Sequence, residues 1–241
     1  MRKIILTLLI CIFAFSGTNA QNKTIQSYCR CDTIQIIQES SDLSLIVYEP
    51  VNCLLQLTSN RSVTENPNVC FAAPCAFTAK NYKEIVGRFI GTDTIIENPT
   101  EQETGLCTID KEDIYIGDIK DSSMFYYNAV QSGDIFYFQQ MLLINDGKRV
   151  ECTIFGKQKP TFRRALAIKD GKPYVVESLN RMNISEFTDV MLQQGYTDAI
   201  YMDMGTWSEG FFVSENKEKT TIGNLRQNTR YQTNWLLFAG K

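Results

Sequence analysis

The stretch Asn183–Ser208, "NISEFTDVMLQQGYTDAIYMDMGTWS", carries two periodicities in succession. Phe187, Val190 and Met191 fall on one face at helical spacing, Asn183 and Glu186 stand as a capping pair, and Gly195 sits where helices commonly end. This pattern predicts a helix over Ile184–Gln194. From Asp198 to Asp203 the period changes to two, so that Ala199, Tyr201 and Asp203 share one side and Ile200 and Met202 the other. The run is apolar on both sides, as expected of a central strand. Asp203 then stands at the carboxyl end of that strand, and Gly205 lets the backbone turn away beneath a bound group. An acid, a glycine, Trp207, Ser208 and a second acid, Glu209, therefore follow a buried strand, where folds place binding chemistry.

Outward from this unit the texture is β-rich. Ile34–Ile37, Leu43–Tyr48, Cys53–Leu57, Val69–Ala73, Ile85–Ile90, Ile114–Gly117, Met124–Tyr127, Ile135–Phe138 and Met141–Ile144 are short apolar runs separated by Ser, Asp, Asn and Pro, and each is expected to be a strand. Asp146-Gly147 and Asp170-Gly171 carry the hairpin-turn signature and lead into expected strands at Arg149–Phe155 and Pro173–Glu177. The polar stretch Glu97–Gly105 reads as a surface loop. One α+β domain over residues 21–241, a mixed strand-rich sheet with few helices, is the expected organisation.

Residues 1–20 have the order of an export signal: Arg2 and Lys3, an apolar core from Ile4 to Phe15, and a small-residue end at Thr18-Asn19-Ala20. That core is shorter than the roughly 20 residues of a membrane span. The expectation is an exported chain without a span, in a periplasm or an extracellular space. The formal net charge of −3 becomes more negative once Arg2 and Lys3 are removed, and basic residues form no long run, which gives no electrostatic reason to expect nucleic acid. Of eight cysteines, Cys11 leaves with the signal, so an odd number remains for pairing in an oxidising compartment; the short Cys70–Cys75 loop is one candidate bridge. The chain has no histidine, which excludes Ser-His-Asp and Cys-His sites and leaves proton transfer to carboxylates. Cysteine spacing matches no zinc pattern and no loop has calcium-ligand spacing, so neither metal nor cofactor is expected.

From Phe162 to the C-terminus the order "RRALAI", "YVVES", "ISEFTDVMLQQG", "TDAIYMDMGTWS" and "TNWLLF" resembles the phosphodiester glycosidase family, and the upstream "GDIFYFQQMLLINDGK" extends the likeness over residues 134–241. Members of that family show an R-T-A-I-G strand, a D-G-R element, a helix with an early glutamate, an N-L-D-G-G-G-S turn and a closing asparagine-bearing strand. The resemblance matches Arg163 to the leading arginine, or Arg164 with the register shifted by one residue. It also matches Glu177 to the aspartate of D-G-R, Asp203 and Gly205 to the glycine-rich turn, Ser208 to its serine and Asn234 to the closing asparagine. Tyr201, Met204, Thr206, Trp207 and Ser178 depart from the pattern, and "VCFAAPCAFT" lacks the asparagine of the family's N-G-G-F-F-like strand end.

The resemblance implies a carbohydrate or sugar-phosphate ligand. A phosphodiester calls for a guanidinium fork, from Arg163 or Arg164 with Arg230, and a sugar for short polar groups such as Asp203, Asn234 and Ser208. Backbone N–H groups around Gly205 suit phosphate, and the Trp207 ring suits a sugar face. Hydrolysis needs two carboxyl groups in complementary roles, with Asp203, Glu177 and Glu209 as candidates. Each residue also has a structural reading: Asp203 as a turn cap, the arginines as salt-bridge partners, Trp207 as a core cover and Asn234 as a clamp on neighbouring backbone.

Overall fold

The computed structural model describes residues 28–38, 43–79, 81, 83–98, 104–111, 113–151, 159–204, 209–223 and 229–241; the export signal expected at 1–20 and the positions Cys152, Gly205, Trp207 and Ser208 lie outside them. In chain order the first strands are β1 (Arg30–Ile37), β2 (Ser44–Val51), β3 (Cys53–Thr58), β4 (Val69–Ala73), β5 (Phe89–Ile90), β6 (Ile95–Ile96), β7 (Gly105–Asp110) and β8 (Asp113–Asp118). Helix α1 (Ser122–Ser132) precedes β9 (Ile135–Gln140), β10 (Leu142–Asn145), β11 (Lys148–Arg149), β12 (Arg164–Lys169) and β13 (Lys172–Ser178). Helix α2 (Ile184–Gln193) leads into β14 (Asp198–Met202), followed by β15 (Phe211–Val213), β16 (Lys219–Thr221) and β17 (Trp235–Gly240).

The strands form three antiparallel sheets, with orders β1-β2-β13-β12-β14-β10-β11, β16-β15-β4-β17-β3 and β6-β5-β9-β7-β8. Among the described residues the chain is thus strand-rich with two α-helices, weighted further toward β than the α+β expectation. β14 lies inside the first sheet between β12 and β10, as its two apolar faces require. Ile200 and Met202 enter the core shared by all three sheets, with Leu57, Phe71, Cys107, Phe138, Leu166 and Phe238. Ala199 and Tyr201 face the opposite side, where Phe187, Val190 and Met191 of α2 pack on Ala165, Ala167 and Val176. Each fully buried Phe, Val or Met side chain of that helix contributes about 1.5–3 kcal/mol, so the stripe read from the sequence is what seats α2.

Local signals operate as their chemistry predicts. Glu186 accepts a hydrogen bond from the Asn183 N–H at 2.7 Å, closing one half of the capping box. Asp146-Gly147 and Asp170-Gly171 turn with positive φ at both residues, the geometry that twisted two-residue hairpins need. β13 then runs through the expected Pro173–Glu177, whereas β11 covers only the first part of Arg149–Phe155, whose remainder falls largely outside the described residues.

Four expectations require correction. Met124–Tyr127 is helix, not strand: Ser122, Tyr126 and Ala129 recur at helical spacing on the buried face of α1, while Met124, Tyr127 and Val130 face solvent. Aromatic β-propensity there gives way to packing of Tyr126 and Ala129 on Leu106 and Tyr137. Ile85–Ile90 is strand only at its end, because Gly87 takes φ 85° and interrupts it. Cys70 and Cys75 do not pair. Five residues apart in largely extended chain, they are separated by about 16 Å, beyond the roughly 7 Å Cα reach of a disulfide. The bridge joins Cys29 to Cys53, and Cys31, Cys70, Cys75 and Cys107 are free and buried. At Gly105, the end of the expected surface loop, a strand begins instead; a Cβ there would lie 2.8 Å from the Leu142 Cβ, so close strand approach demands glycine.

Candidate functional site

The end of β14 meets the segment that follows β4. Asp203, buried just beyond the strand, donates its N–H to the Cys75 carbonyl at 2.9 Å and accepts the Thr78 N–H on Oδ2 at 3.3 Å. Asn234, fully buried just before β17, grips the same segment: its Oδ1 accepts the Ala76 N–H at 2.8 Å and the Cys75 thiol at 3.0 Å, and its Nδ2 donates to the Ala76 carbonyl at 3.0 Å. Nδ2 also reaches Thr233 Oγ1 at 3.1 Å, which lies 2.9 Å from Thr78 Oγ1. An acid from the first sheet and an amide from the second therefore converge on residues 75–78. That segment carries only the isolated bridge Thr78–Ile85, so its backbone groups are satisfied by a mixture of backbone partners, Asp203 N–H and Val86 N–H, and the side chains of Asp203 and Asn234.

Arg163 approaches the same place. Its Nε donates to the Met182 carbonyl at 3.2 Å, its Nη1 lies 3.5 Å from the Tyr201 hydroxyl, and its guanidinium sits 5.9 Å from the Tyr201 ring centroid. The Tyr201 ring in turn lies 5.9 Å from that of Phe77. Burial pushes the Tyr201 hydroxyl above its ordinary range; the Arg163 guanidinium opposes the shift and the Asp203 carboxylate adds to it. The buried Tyr201 hydroxyl thus feels both the Arg163 guanidinium and the Asp203 carboxylate. A cleft of about 600 Å³ is walled by Ser59, Lys83, Glu84, Ile85, Thr94, Ile96, Asn98 and Thr233; of the residues just described only Thr233 lines it, while Asp203, Asn234 and Arg163 are buried.

The other candidates lie elsewhere. Arg164 takes the opposite face of the sheet, where its Nε and Nη2 donate to Glu177 Oε2 at 3.1 and 2.9 Å in a fully buried pair. One residue of register separates the two arginines, and alternation sends them to opposite sides. Glu209 receives two bonds from Arg61 Nη1, at 2.5 and 2.7 Å, and the Arg61 guanidinium lies over Trp235. Arg230 is exposed and donates to the Tyr231 hydroxyl at 2.8 Å. Phe77, Thr78 and Thr233 lay within the stretches "VCFAAPCAFT" and "TNWLLF" compared above but were not singled out, Arg61 carried no local signal, and Tyr201 stood out only by replacing an asparagine.

Taken as a whole, the described sheets and helices are similar in fold to two solved structures. The chain is similar to the zebrafish N-acetylglucosamine-1-phosphodiester alpha-N-acetylglucosaminidase catalytic domain, solved auto-inhibited by its pro-peptide, with a TM-score of 0.59 and 11% identity over 91% of this chain and 85% of that one. It is also similar to a hypothetical protein from Synechocystis, with a TM-score of 0.55 and 10% identity over 87% of this chain and 62% of that chain, so it spans less than two thirds of that protein. At such identities the likeness is one of fold. No family model and no curated protein matches the sequence.

Proposed function

We propose that this chain is an exported phosphodiester glycosidase-like protein that binds a sugar phosphodiester, or a related glycan linkage, at the Asp203 end of β14 and hydrolyses it. The observation that carries this reading is the convergence of Asp203, Asn234 and the Arg163–Tyr201 pair on residues 75–78 from separate strands of two sheets. In this reading Arg163 holds the phosphate, and the Thr78 and Thr233 hydroxyls with Asp203 engage sugar hydroxyls. Asn234 keeps the 75–78 segment in place, and the further candidates Gly205, Trp207 and Ser208 lie outside the described residues. In this reading Asp203 exchanges a proton with the leaving oxygen. The fold neighbour that acts on a sugar-1-phosphodiester supports the substrate class. The signal at residues 1–20 supports export, and no helix among the described residues is long and apolar enough to cross a membrane.

One observation favours a second reading, a secreted carbohydrate-binding module without turnover: Glu177 and Glu209, the two partner carboxylates, are each held by an arginine. Product release from a panel of sugar-1-phosphodiesters separates the readings. Hydrolysis requires turnover of at least one member and its loss in Asp203→Asn. Binding without product, weakened far more by Trp207→Ala than by Asp203→Asn, selects the module.

A further inference from the structure

At the far end of β4 from the 75–78 segment, three sulfurs meet. Cys29 precedes β1, Cys53 opens β3 and Cys70 lies in β4, and their Sγ atoms all fall within 4.8 Å of one another. The disulfide joins Cys29 to Cys53 with a Cα–Cα separation of 4.9 Å, inside the normal range. The Cys70 thiol stands 2.9 Å from Cys29 Sγ and 3.4 Å from Cys53 Sγ. Two backbone irregularities produce this meeting. Phe238 of β17 pairs with Phe71 and Ala239 with Val69, so Cys70 is the extra residue of a bulge, a feature that re-aims a side chain. Asn52, between β2 and β3, takes φ 56°, which turns the chain into Cys53.

We propose that Cys29, Cys53 and Cys70 form a thiol–disulfide exchange site in which one disulfide is shared among three sulfurs. In the exchange the Cys70 thiol loses its proton to solvent and its sulfur attacks Cys29 Sγ. The Cys29–Cys70 bond forms as the Cys29–Cys53 bond breaks, and the electron pair leaves with Cys53 Sγ, which takes up a proton. No net oxidation or reduction occurs, so no outside reagent is consumed. The released thiol has acceptors in place: Cys53 Sγ lies 3.3 Å from the Arg30 carbonyl oxygen and 3.2 Å from that of Val51.

The two bonding states present different faces to solvent. Cys29 and Cys70 line a cleft of about 360 Å³ beside Arg30, Glu215 and Lys217. Cys53 lines a separate cleft of about 230 Å³ whose walls include Glu49, Lys111, Asp113, Lys172 and Lys241. Exchange therefore removes a thiol from the first cleft and delivers one to the second, while β1 stays tethered to the β4-β17-β3 sheet in either state.

The test is a disulfide map of the full chain, trapped with acid, alkylated and read by peptide mass spectrometry after prolonged incubation at mildly alkaline pH. The expected result is two linked species, Cys29–Cys53 and Cys29–Cys70, with Cys53 alkylated in the same molar proportion as Cys29–Cys70 appears. Cys53→Ser is expected to link Cys29 to Cys70 completely, whereas Cys70→Ser keeps Cys29–Cys53 and shows no Cys53 labelling. A wild-type map with Cys29–Cys53 alone overturns the proposal, as does a folded Cys53→Ser protein in which Cys29 and Cys70 are both alkylated, or recovery of all three as free thiols with a stoichiometric metal ion. Should Cys53→Ser fail to fold, the wild-type map decides.

Discussion

Replacing Glu177 by Gln tests whether its ion pair with Arg164 is a structural element or part of the chemistry. Both side chains are almost completely withdrawn from solvent, 0% exposed for Arg164 and 4% for Glu177, and a single carboxylate oxygen receives both guanidinium bonds. Among the described residues Arg164 Nη1 has no hydrogen-bond partner, so the guanidinium depends on Glu177 for its compensation. Glu177→Gln keeps the shape and removes the charge, leaving a buried cation facing a neutral amide. Breaking a buried pair from one side costs about 3–5 kcal/mol. At about 2–4 °C per kcal/mol for a domain of this size, the melting temperature should fall by about 6–20 °C. The double substitution Arg164→Met with Glu177→Leu removes both charges and should stay within about 2 kcal/mol of wild type or exceed it. Urea denaturation followed by circular dichroism, with the wild-type slope as control, measures all three proteins. Because the pair lies on the opposite face of the sheet from Arg163 and Tyr201, activity per folded molecule should be unchanged in Glu177→Gln. A stability loss under about 1 kcal/mol, or a double variant as damaged as the single one, refutes the argument.

Further outcomes follow from the same contacts. Asn234→Ala should cost about 2–4 kcal/mol, since it leaves the Ala76 N–H and carbonyl without their amide partner, and equilibrium unfolding measures the loss. Gly171→Ala has open space for its methyl group but must hold φ near +72°, so a penalty of about 1 kcal/mol is expected from strain alone, read as a lowered urea midpoint. Burial raises the thiols of Cys31, Cys70, Cys75 and Cys107 above their ordinary value of 9.0, Cys70 to about 12. A raised value in the fold means that the unfolded chain binds fewer protons above pH 9. The stability from these groups is therefore complete below that pH and declines as pH climbs toward the folded values, by up to about 1.4 kcal/mol per pH unit for each thiol. A urea midpoint that stays flat from pH 8 to 11 would contradict this.

Taken alone, the sequence determined the elements whose cause is local. The alternation of Asp198–Asp203 fixed which side of β14 each residue takes, the Asn183–Glu186 box and the Phe187–Val190–Met191 stripe fixed α2, and the two Asp-Gly pairs fixed their hairpins, because each signal lies within a few residues and a single backbone period. Tertiary structure alone decided which distant strands became neighbours. The Met124–Tyr127 segment became helical because Tyr126 and Ala129 found Leu106 and Tyr137, and Cys29 found Cys53 because a turn at Asn52 and a bulge at Cys70 brought three strand ends together. Arg163 and Arg164 show the division most clearly. Adjacent in sequence and interchangeable to the eye, they enter opposite faces of one sheet, one toward Tyr201 and the other into a buried pair with Glu177. A pleated strand reverses direction at every residue, and only its packing between two cores assigns each direction a chemical environment.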